Sequence, residues 1–336
     1  MIGQRKGMRA GIAASAVVGL MLSLSSCGPF SSTPKPSASA STTTAKTLTV
    51  VASVNQWGSL AQEIGGSDVS VTSILNSTSV DAHNFEPTAS DVARLRTANV
   101  IVANGAGYDS WALKTHAADS LSVSAAETVG AMTGDNPHLW FSKDARKSVA
   151  TELAEVFTKA RPEKKKDFHS RLLAWEKSED SLERSLSAFA KRYPKSTYAA
   201  TEAVAYYLMS DMGFKDLTPE QYAQSMTSGG EPSASDLQTF QKLIEQRGID
   251  LLVNNTQEAT DSAATLTGAA GRSEIPVISV SEQMPAGATT LDGWIQSLVT
   301  TISTTVQKRR QDKSAADSTA SPSATASNSS QRSSGK

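Results

Sequence analysis

Short runs of β-branched and aliphatic residues alternate along the chain with stretches whose apolar residues recur at helical spacing. The runs predict strands over residues 47–52, 69–75, 99–103, 249–254 and 276–280. The other pattern predicts helices over residues 57–64, 90–97, 143–158, 203–212, 233–247 and 291–308. Because the last two strands show no clear polar alternation and lie among helices, the pattern indicates parallel sheets covered by helices on both faces, an α/β fold.

Residues 162–193 form a highly charged stretch whose apolar residues, from Phe168 to Phe189, keep roughly helical spacing. This stretch predicts one long helix with a solvated charged face. It divides the folded region into an N-terminal lobe, residues 47–161, and a C-terminal lobe, residues 194–310. Two lobes are also expected from length, because that region exceeds the usual size of a single domain.

Both ends of the chain are poor in large apolar residues. Residues 27–46 consist mainly of Ser, Thr, Pro and Ala, and residues 311–336 are rich in Ser, Ala and Thr. Such segments cannot bury enough apolar surface to offset the entropy of ordering them. We therefore expect a disordered tether at the start and a disordered tail at the end, to which we assign no function.

The composition excludes several classes of protein. Of 336 residues, 39% are hydrophobic and 19% charged, which is typical of a globular protein and not of a collagen-like, coiled-coil or polytopic membrane protein. The 32 Lys and Arg against 33 Asp and Glu give no basic field, so we expect no nucleic-acid partner. The single cysteine can form neither an intrachain disulfide nor a cysteine-based metal site.

The N-terminus indicates a purpose for that cysteine. Arg5, Lys6 and Arg9 precede an uncharged, mostly apolar run over residues 10–24 that is shorter than the roughly 20 residues needed to span a bilayer. The following Leu-Ser-Ser-Cys27 resembles a bacterial lipobox, which implies removal of residues 1–26 and a lipid anchor on Cys27. We expect attachment to the cell membrane on its extracytoplasmic face; the alternative is a free thiol in an ordinary secretory signal.

Two of the four histidines lie where α/β folds build binding sites. His83 lies in a turn-like stretch between a predicted strand and helix, and His138 lies in a turn before a helix. Imidazoles together with carboxylates suit Zn²⁺, Mn²⁺ or Fe²⁺, although two separated histidines are weak support for a shared site. His116 and His169 have no neighbouring motif, and we expect both to be exposed.

Three segments carry a resemblance to a known family. They are Asp-Ala-His83-Asn-Phe-Glu-Pro followed by Asp91, Asn-Gly-Ala-Gly-Tyr108, and Asn-Pro-His138-Leu-Trp. Together they resemble the metal-binding (zinc/manganese) solute-binding lipoproteins of ABC transporters. The resemblance implies two lobes, each a parallel sheet flanked by helices, joined by a long rigid backbone helix, with a metal site in the interlobe cleft.

The resemblance also implies a ligand set. His83 and His138 would come from the first lobe, and Glu202 matches the glutamate of manganese-type members where zinc-type members have a third histidine. Glu282 is the acidic residue after the last strand, although its spacing departs from the manganese-type pattern. Glu202 has an alternative role as a carboxylate favoured by the dipole at a helix N-terminus. Asp81 and Asp135 could support the histidines, with capping or solvation as equal alternatives.

By the same resemblance, the protein captures Zn²⁺ or, next, Mn²⁺ as transported ligand and delivers it to an ABC permease and its ATPase. We expect a monomer. One alternative is a surface adhesion lipoprotein whose metal is structural. A metallohydrolase is the other, but H-E-x-x-H, G-x-S-x-G and G-x-x-x-x-G-K-[ST] motifs are all absent, so we expect no enzyme.

Replacement of single histidines tests the two-histidine site. His83→Ala and His138→Ala should each weaken Zn²⁺ binding at least about 100-fold, whereas His116→Ala should leave it unchanged. Because protons compete with the metal for imidazole, affinity should also fall from about pH 8 to pH 5. Competitive titration of the metal-stripped protein measures both effects, and a flat pH profile would contradict the site.

Overall fold

The computed structural model describes residues 47–80, 82, 84–115 and 117–319. The predicted signal peptide, Cys27 and the tether lie outside the described residues, as do Asp81, His83, His116 and residues 320–336. Among the helices that are described, none combines the length and the apolar character needed to cross a membrane.

The strands are β1 Leu48–Val54, β2 Val69–Leu75, β3 Val100–Ala103, β4 Leu121–Ser124, β5 Thr197–Ala200, β6 Lys215–Asp216, β7 Leu251–Asn255 and β8 Val277–Val280. The helices are α1 Asn55–Gly65, α2 Ala89–Thr97, α3 Ser110–Lys114, α4 Ala125–Val129, α5 Lys143–Ala160, α6 Lys165–Arg192, α7 Tyr206–Asp211, α8 Glu220–Thr227, α9 Ala234–Glu245, α10 Asp261–Arg272 and α11 Leu291–Thr319.

Within the described residues, the strands form two four-stranded sheets, ordered β2-β1-β3-β4 and β6-β5-β7-β8. Every pairing is parallel, with Val50 opposite both Val71 and Val100 in the first sheet and Leu252 opposite Val277 in the second. The predicted α/β class is therefore confirmed. In each sheet the strand order reverses beside the first strand, so the crevice at the carboxyl ends is the expected place for a site.

The predicted strands all form, but β4, β5 and β6 were not predicted. In β5, Thr-Tyr-Ala-Ala contains two alanines, which favour strands weakly, and its residues are extended because they pair with β6 and β7. The edge strand β6 has only two residues, both exposed. These strands depend on tertiary pairing more than on local pattern.

Two helices begin with a Ser or Thr followed three residues later by Asp, the spacing of a capping box, and the two motifs differ in the structure. At the start of α2, Thr88 Oγ1 accepts the Asp91 N–H at 3.3 Å while the Asp91 carboxylate accepts the Thr88 N–H at 3.0 Å, so the box is complete. At the start of α9, Ser233 Oγ accepts the Asp236 N–H at 3.2 Å. The Asp236 carboxylate accepts the Ser233 hydroxyl proton instead of a backbone proton.

The long charged stretch forms α6, preceded by a 3-10 turn at Pro162–Lys164. A buried stripe that includes Phe168, Trp175 and Phe189 packs against α1 and α5 from the first lobe and α7 and α11 from the second. Leu173 lies off this stripe and is 45% exposed. The predicted linking helix is therefore one rod that both lobes share.

The last helix corrects the expectation for the C-terminal tail. α11 continues to Thr319 and so overlaps the stretch from residue 311 onwards that we expected to be disordered. The added residues include Lys313, Ala315 and Ala316, which have good helix propensity. Extending a helix that already exists avoids the cost of a new nucleus, so a polar stretch can continue it.

A buried ion pair fixes α5 to the linking helix. Arg146 donates to Glu179 through Nη2 at 2.6 Å and Nε at 3.1 Å, and its Nη1 donates to the Trp140 carbonyl at 3.1 Å. Both side chains are fully buried. Removing one partner leaves an uncompensated buried charge, which is far more costly than losing a surface ion pair.

Glu179→Ala should therefore lower the free energy of unfolding by about 3–5 kcal/mol. Glu183→Ala is the matched control, because Glu183 pairs with Lys147 between the same two helices but both are partly exposed. That change should cost about 0–1 kcal/mol in denaturant unfolding. Equal losses in the two variants would show that the buried pair contributes no more than the surface pair.

A half-buried acid, Glu63, lies where α1 meets the start of α11. Burial, and next the charge of Asp292, raises the pKa of Glu63 from its ordinary 4.5 to about 7. Because its pKa is higher in the folded state, the protonated form is favoured there. Stability from this group is full below about pH 4.5 and is lost as pH rises through 7.

Glu63→Gln should accordingly stabilise the protein at pH 8 by about 1–2 kcal/mol and have a much smaller effect near pH 4.5. Glu155→Gln, on the exposed surface of α5, should change stability little at either pH. Thermal unfolding at the two pH values measures the difference, and an equal effect at both would contradict the raised pKa.

Candidate metal centre

Three of the four predicted ligands come together in the described part of the chain. His138 precedes a 3-10 turn at Leu139–Phe141, Glu202 follows β5, and Glu282 follows β8. One ligand atom from each lies within 4.8 Å of the other two. His83 and Cys27 lie outside the described residues, so the first lobe's second histidine and the lipid anchor stay predictions.

Two members of the cluster, His138 and Glu202, line a cavity of about 690 Å³. His138 Nε2 lies 3.6 Å from Glu202 Oε1 and 4.0 Å from Glu282 Oε2. The side chains of His138, Glu202 and Glu282 are 3%, 11% and 1% exposed. A buried imidazole facing two carboxylates is a donor set that suits a first-row divalent metal ion.

Asn136 fixes the orientation of His138. Its Oδ1 accepts the His138 backbone N–H at 3.0 Å and lies 2.9 Å from Nδ1, while its Nδ2 donates to the Ala203 carbonyl at 2.8 Å. Because this oxygen is an acceptor, the imidazole proton belongs on Nδ1 and the lone pair on Nε2, which faces the carboxylates. Asp135, named beforehand as a possible support, instead accepts the Met132 N–H in the preceding turn.

The Asn-Gly-Ala-Gly-Tyr segment supports the loop that carries His138. Gly105, Ala106 and Gly107 all have positive φ, at 78°, 53° and 89°. The Asn104 side chain accepts from Trp57 Nε1 at 3.0 Å and donates to the Pro137 carbonyl at 2.8 Å. The side chain of Asn104, just before this left-handed stretch, therefore holds Pro137, the residue immediately before His138.

Glu202 does not cap the turn that follows it. It occupies the position before the 3-10 turn Ala203–Ala205, but its side chain makes no capping hydrogen bond. Its Oε2 accepts instead from Asn255 Nδ2. The alternative of a carboxylate serving only its own helix is therefore not what the contacts favour.

Glu282 receives hydrogen bonds from both lobes. Asn255 Nδ2 donates to its Oε1 at 2.9 Å, and the Tyr108 hydroxyl donates to its Oε2 at 2.5 Å. Burial, and next the charge of Glu282, raises the pKa of Tyr108 well above its usual value, so the phenol keeps its proton and acts as donor. A carboxylate oxygen has two lone pairs and can accept such a bond while binding a metal.

The main chain around Glu282 is also tied to both lobes. Gln257, from the second lobe, accepts the N–H groups of Glu282 and Gln283 at 2.8 and 2.9 Å. From the first lobe, Gln56 donates to the Glu282 carbonyl, and the Asn55 side chain makes two hydrogen bonds with the Met284 backbone at 2.9 and 3.0 Å. The departure in spacing after β8 thus still leads to a firmly held carboxylate.

Sequence reasoning missed Asn136, Asn255 and Gln257, which support the cluster. Asn136 is the first residue of the Asn-Pro-His-Leu-Trp motif, and its position two residues before His138 could have indicated that it supports the histidine. Asn255 and Gln257 carried no such signal, because Asn255 reaches the two carboxylates, and Gln257 the main chain of Glu282, only in the folded chain. His169 is exposed on α6, as expected.

Comparison with known proteins agrees with this architecture. The family model described as ZnuA, zinc-uptake complex component A periplasmic, matches residues 50–305. The zinc-binding protein AdcA of Streptococcus pyogenes serotype M6 is 24% identical over 178 residues, which are 52% of this chain and 33% of that protein. The chain thus spans about a third of the length of that relative.

Solved structures with the same fold include two relevant proteins. The periplasmic zinc binding protein TroA from Treponema pallidum has a TM-score of 0.67 at 20% identity, covering 78% of this chain and 99% of that one. The laminin binding protein Lmb of Streptococcus agalactiae, described as a bifunctional protein with adhesin and metal transporting activity, has a TM-score of 0.66 at 18% identity, covering 78% and 100%. At these identities the likeness shows the fold alone.

The match to the family model covers most of the chain, and the fold expected of that family is present in both lobes. The family is one of solute-binding proteins and not of enzymes. On these grounds, the chain belongs to the ZnuA family of metal-binding solute-binding proteins of ABC importers.

Proposed function

We propose that this protein captures a divalent transition metal outside the cytoplasm, Zn²⁺ first and Mn²⁺ next, and delivers it to an ABC permease. The observation that carries the proposal is the convergence of His138, Glu202 and Glu282 within 4.8 Å from three separate loops. In this proposal His83 supplies the fourth ligand from the same lobe as His138.

The chemistry of the donors supports a cargo ion. Two carboxylates offset the charge of M²⁺, so the occupied site is neutral and can be buried without an unpaired charge. Nitrogen and oxygen donors suit both Zn²⁺ and Mn²⁺, and the Irving–Williams order gives Zn²⁺ the higher intrinsic affinity. The preference for zinc also agrees with the zinc-uptake description of the family.

The proposed location follows from the sequence. Residues 1–26 would be removed as a signal peptide, Cys27 would carry the lipid, and residues 27–46 would tether the folded region to the membrane. A lipid-anchored monomer at the extracytoplasmic face is then placed to meet the permease, whose ATPase lies on the other side. Nothing in the charge balance suggests a nucleic-acid partner.

Calorimetry on the metal-stripped full chain in detergent tests the proposal with Zn²⁺ and Mn²⁺. We expect one ion per chain, and Glu202→Ala should weaken Zn²⁺ binding by more than about 100-fold, beyond the 10–100-fold typical of an outer-shell partner. Glu220→Ala, an exposed acid at the start of α8, is the matched control and should change nothing.

Each outcome of that experiment has a distinct meaning. Binding that survives Glu202→Ala would place the second lobe's ligand elsewhere, whereas binding of neither ion by the wild-type protein would overturn metal capture. Delivery has its own readout: the wild-type chain, but not Glu202→Ala, should restore Zn²⁺ uptake to cells that lack the gene.

An adhesion protein and a metal-delivery protein differ in how tightly the metal is coupled to the fold. A structural ion stabilises the fold and is lost only on unfolding, while a delivery protein must release its cargo and stay folded. Treatment with a chelator should therefore leave this protein folded and able to rebind Zn²⁺. Unfolding on metal removal would favour a structural metal over transport.

A further inference from the structure

A single amide group lies between the two carboxylates of the candidate metal centre. Asn255 is the last residue of β7 and is 1% exposed. Its Nδ2 donates one proton to Glu202 Oε2 and the other to Glu282 Oε1, the latter at 2.9 Å. Both hydrogens of the amide are therefore used on the two acidic side chains.

The orientation of this amide is fixed by its other contacts. Asn255 Oδ1 accepts the Gln257 backbone N–H at 3.0 Å, so the oxygen cannot exchange places with the nitrogen. The Asn255 backbone N–H donates at 3.3 Å to Oγ1 of Thr201, the residue that precedes Glu202 in the chain. The NH₂ group consequently has one direction, toward the carboxylates.

This arrangement divides the four carboxylate oxygens into two sets. Asn255 binds Glu202 Oε2 and Glu282 Oε1, while Glu202 Oε1 and Glu282 Oε2 are the oxygens paired with His138 Nε2, at 3.6 and 4.0 Å. The Tyr108 hydroxyl donates to Glu282 Oε2, the oxygen that faces His138. Rotation of either carboxylate to chelate an ion with both oxygens would break a bond to Asn255.

The donor is also uncharged. Two neighbouring carboxylates repel each other, and a Lys or Arg between them would reduce that repulsion but would also repel a divalent cation. An amide supplies hydrogen bonds without a net charge, so it can hold the two acids together before the ion arrives and remain after it has bound.

Building on the proposed function, we propose that Asn255 is a positioning residue that makes Glu202 and Glu282 each offer one oxygen to the metal, and thereby favours Zn²⁺ over Mn²⁺. Zn²⁺ is satisfied by four ligands in a tetrahedral arrangement. Mn²⁺ prefers more oxygen donors, which chelating carboxylates would provide. The amide therefore limits the coordination number and with it the choice of cargo.

Asn255→Leu tests the inference, because leucine has a similar size but no donor. In competitive titrations of the metal-stripped full chain, the variant should lose about 10–100-fold in Zn²⁺ affinity, as outer-shell changes do, and less in Mn²⁺ affinity. The ratio of the two affinities should fall about tenfold. Tyr198→Phe, which removes a tyrosine-to-carboxylate bond to Asp216 that involves none of the three candidate ligands, should leave the ratio unchanged.

A spectrum distinguishes positioning from general damage. Co²⁺ in a four-coordinate site absorbs strongly in the visible, whereas five- and six-coordinate Co²⁺ absorbs weakly. The wild-type protein loaded with Co²⁺ should show the intense bands, and Asn255→Leu should lose intensity. If Asn255→Leu does not fold, Asn255→Ser carries the same test, since its short hydroxyl can hold at most one carboxylate and should also lower the ratio.

The possible results separate this inference from the proposed function. Wild-type protein that binds neither Zn²⁺ nor Mn²⁺ would overturn the proposed function itself. Wild-type binding with equal losses of both metals in the Asn255 variants, and an unaltered Co²⁺ spectrum, would overturn only the positioning role. A fall in the ratio together with weaker Co²⁺ bands supports it.

Discussion

The candidate metal centre is organised around the cost of burying two carboxylates side by side. Glu282 is almost completely enclosed and Glu202 nearly so, and each would pay a large desolvation penalty as an isolated anion. Uncharged donors from both lobes stabilise Glu282: the Tyr108 hydroxyl from the first lobe and the Asn255 amide from the second. The imidazole of His138 adds a lone pair instead of a charge. A divalent cation would balance the charge of this set.

That balance requires loops from different parts of the chain to meet within a few ångströms. The loops that carry Glu202 and Glu282 follow β5 and β8 at the carboxyl end of the second sheet, and the loop that carries His138 follows α4 of the first lobe. The linking helix packs on helices from both lobes, and the ion pair between Arg146 and Glu179 fixes it to α5, just beyond the turn that follows His138. The frame therefore determines the separation of the donors.

Sequence patterns predicted the helices and strands whose formation depends mainly on their own residues. The runs of β-branched and aliphatic residues in β1, β2 and β7, and the apolar stripe of α6, can be recognised from a few neighbouring residues. Strand β5 does not, because alanines become a strand only when neighbouring strands pair with them.

The candidate site divides in the same way. His138 and Glu202 were found through motifs, and Glu282 through its position after the last strand. Asn255, 53 residues after Glu202, becomes its neighbour only in three dimensions, so no local pattern could indicate it.

The segment from Glu282 to Met284 is held simultaneously by Gln257 on one side and by Asn55 and Gln56 on the other. If the two lobes moved apart, this segment would lose the hydrogen bonds of one side, and water would replace those partners beside Glu282. Under the proposed function, opening of the cleft and hydration of Glu282 would therefore be coupled.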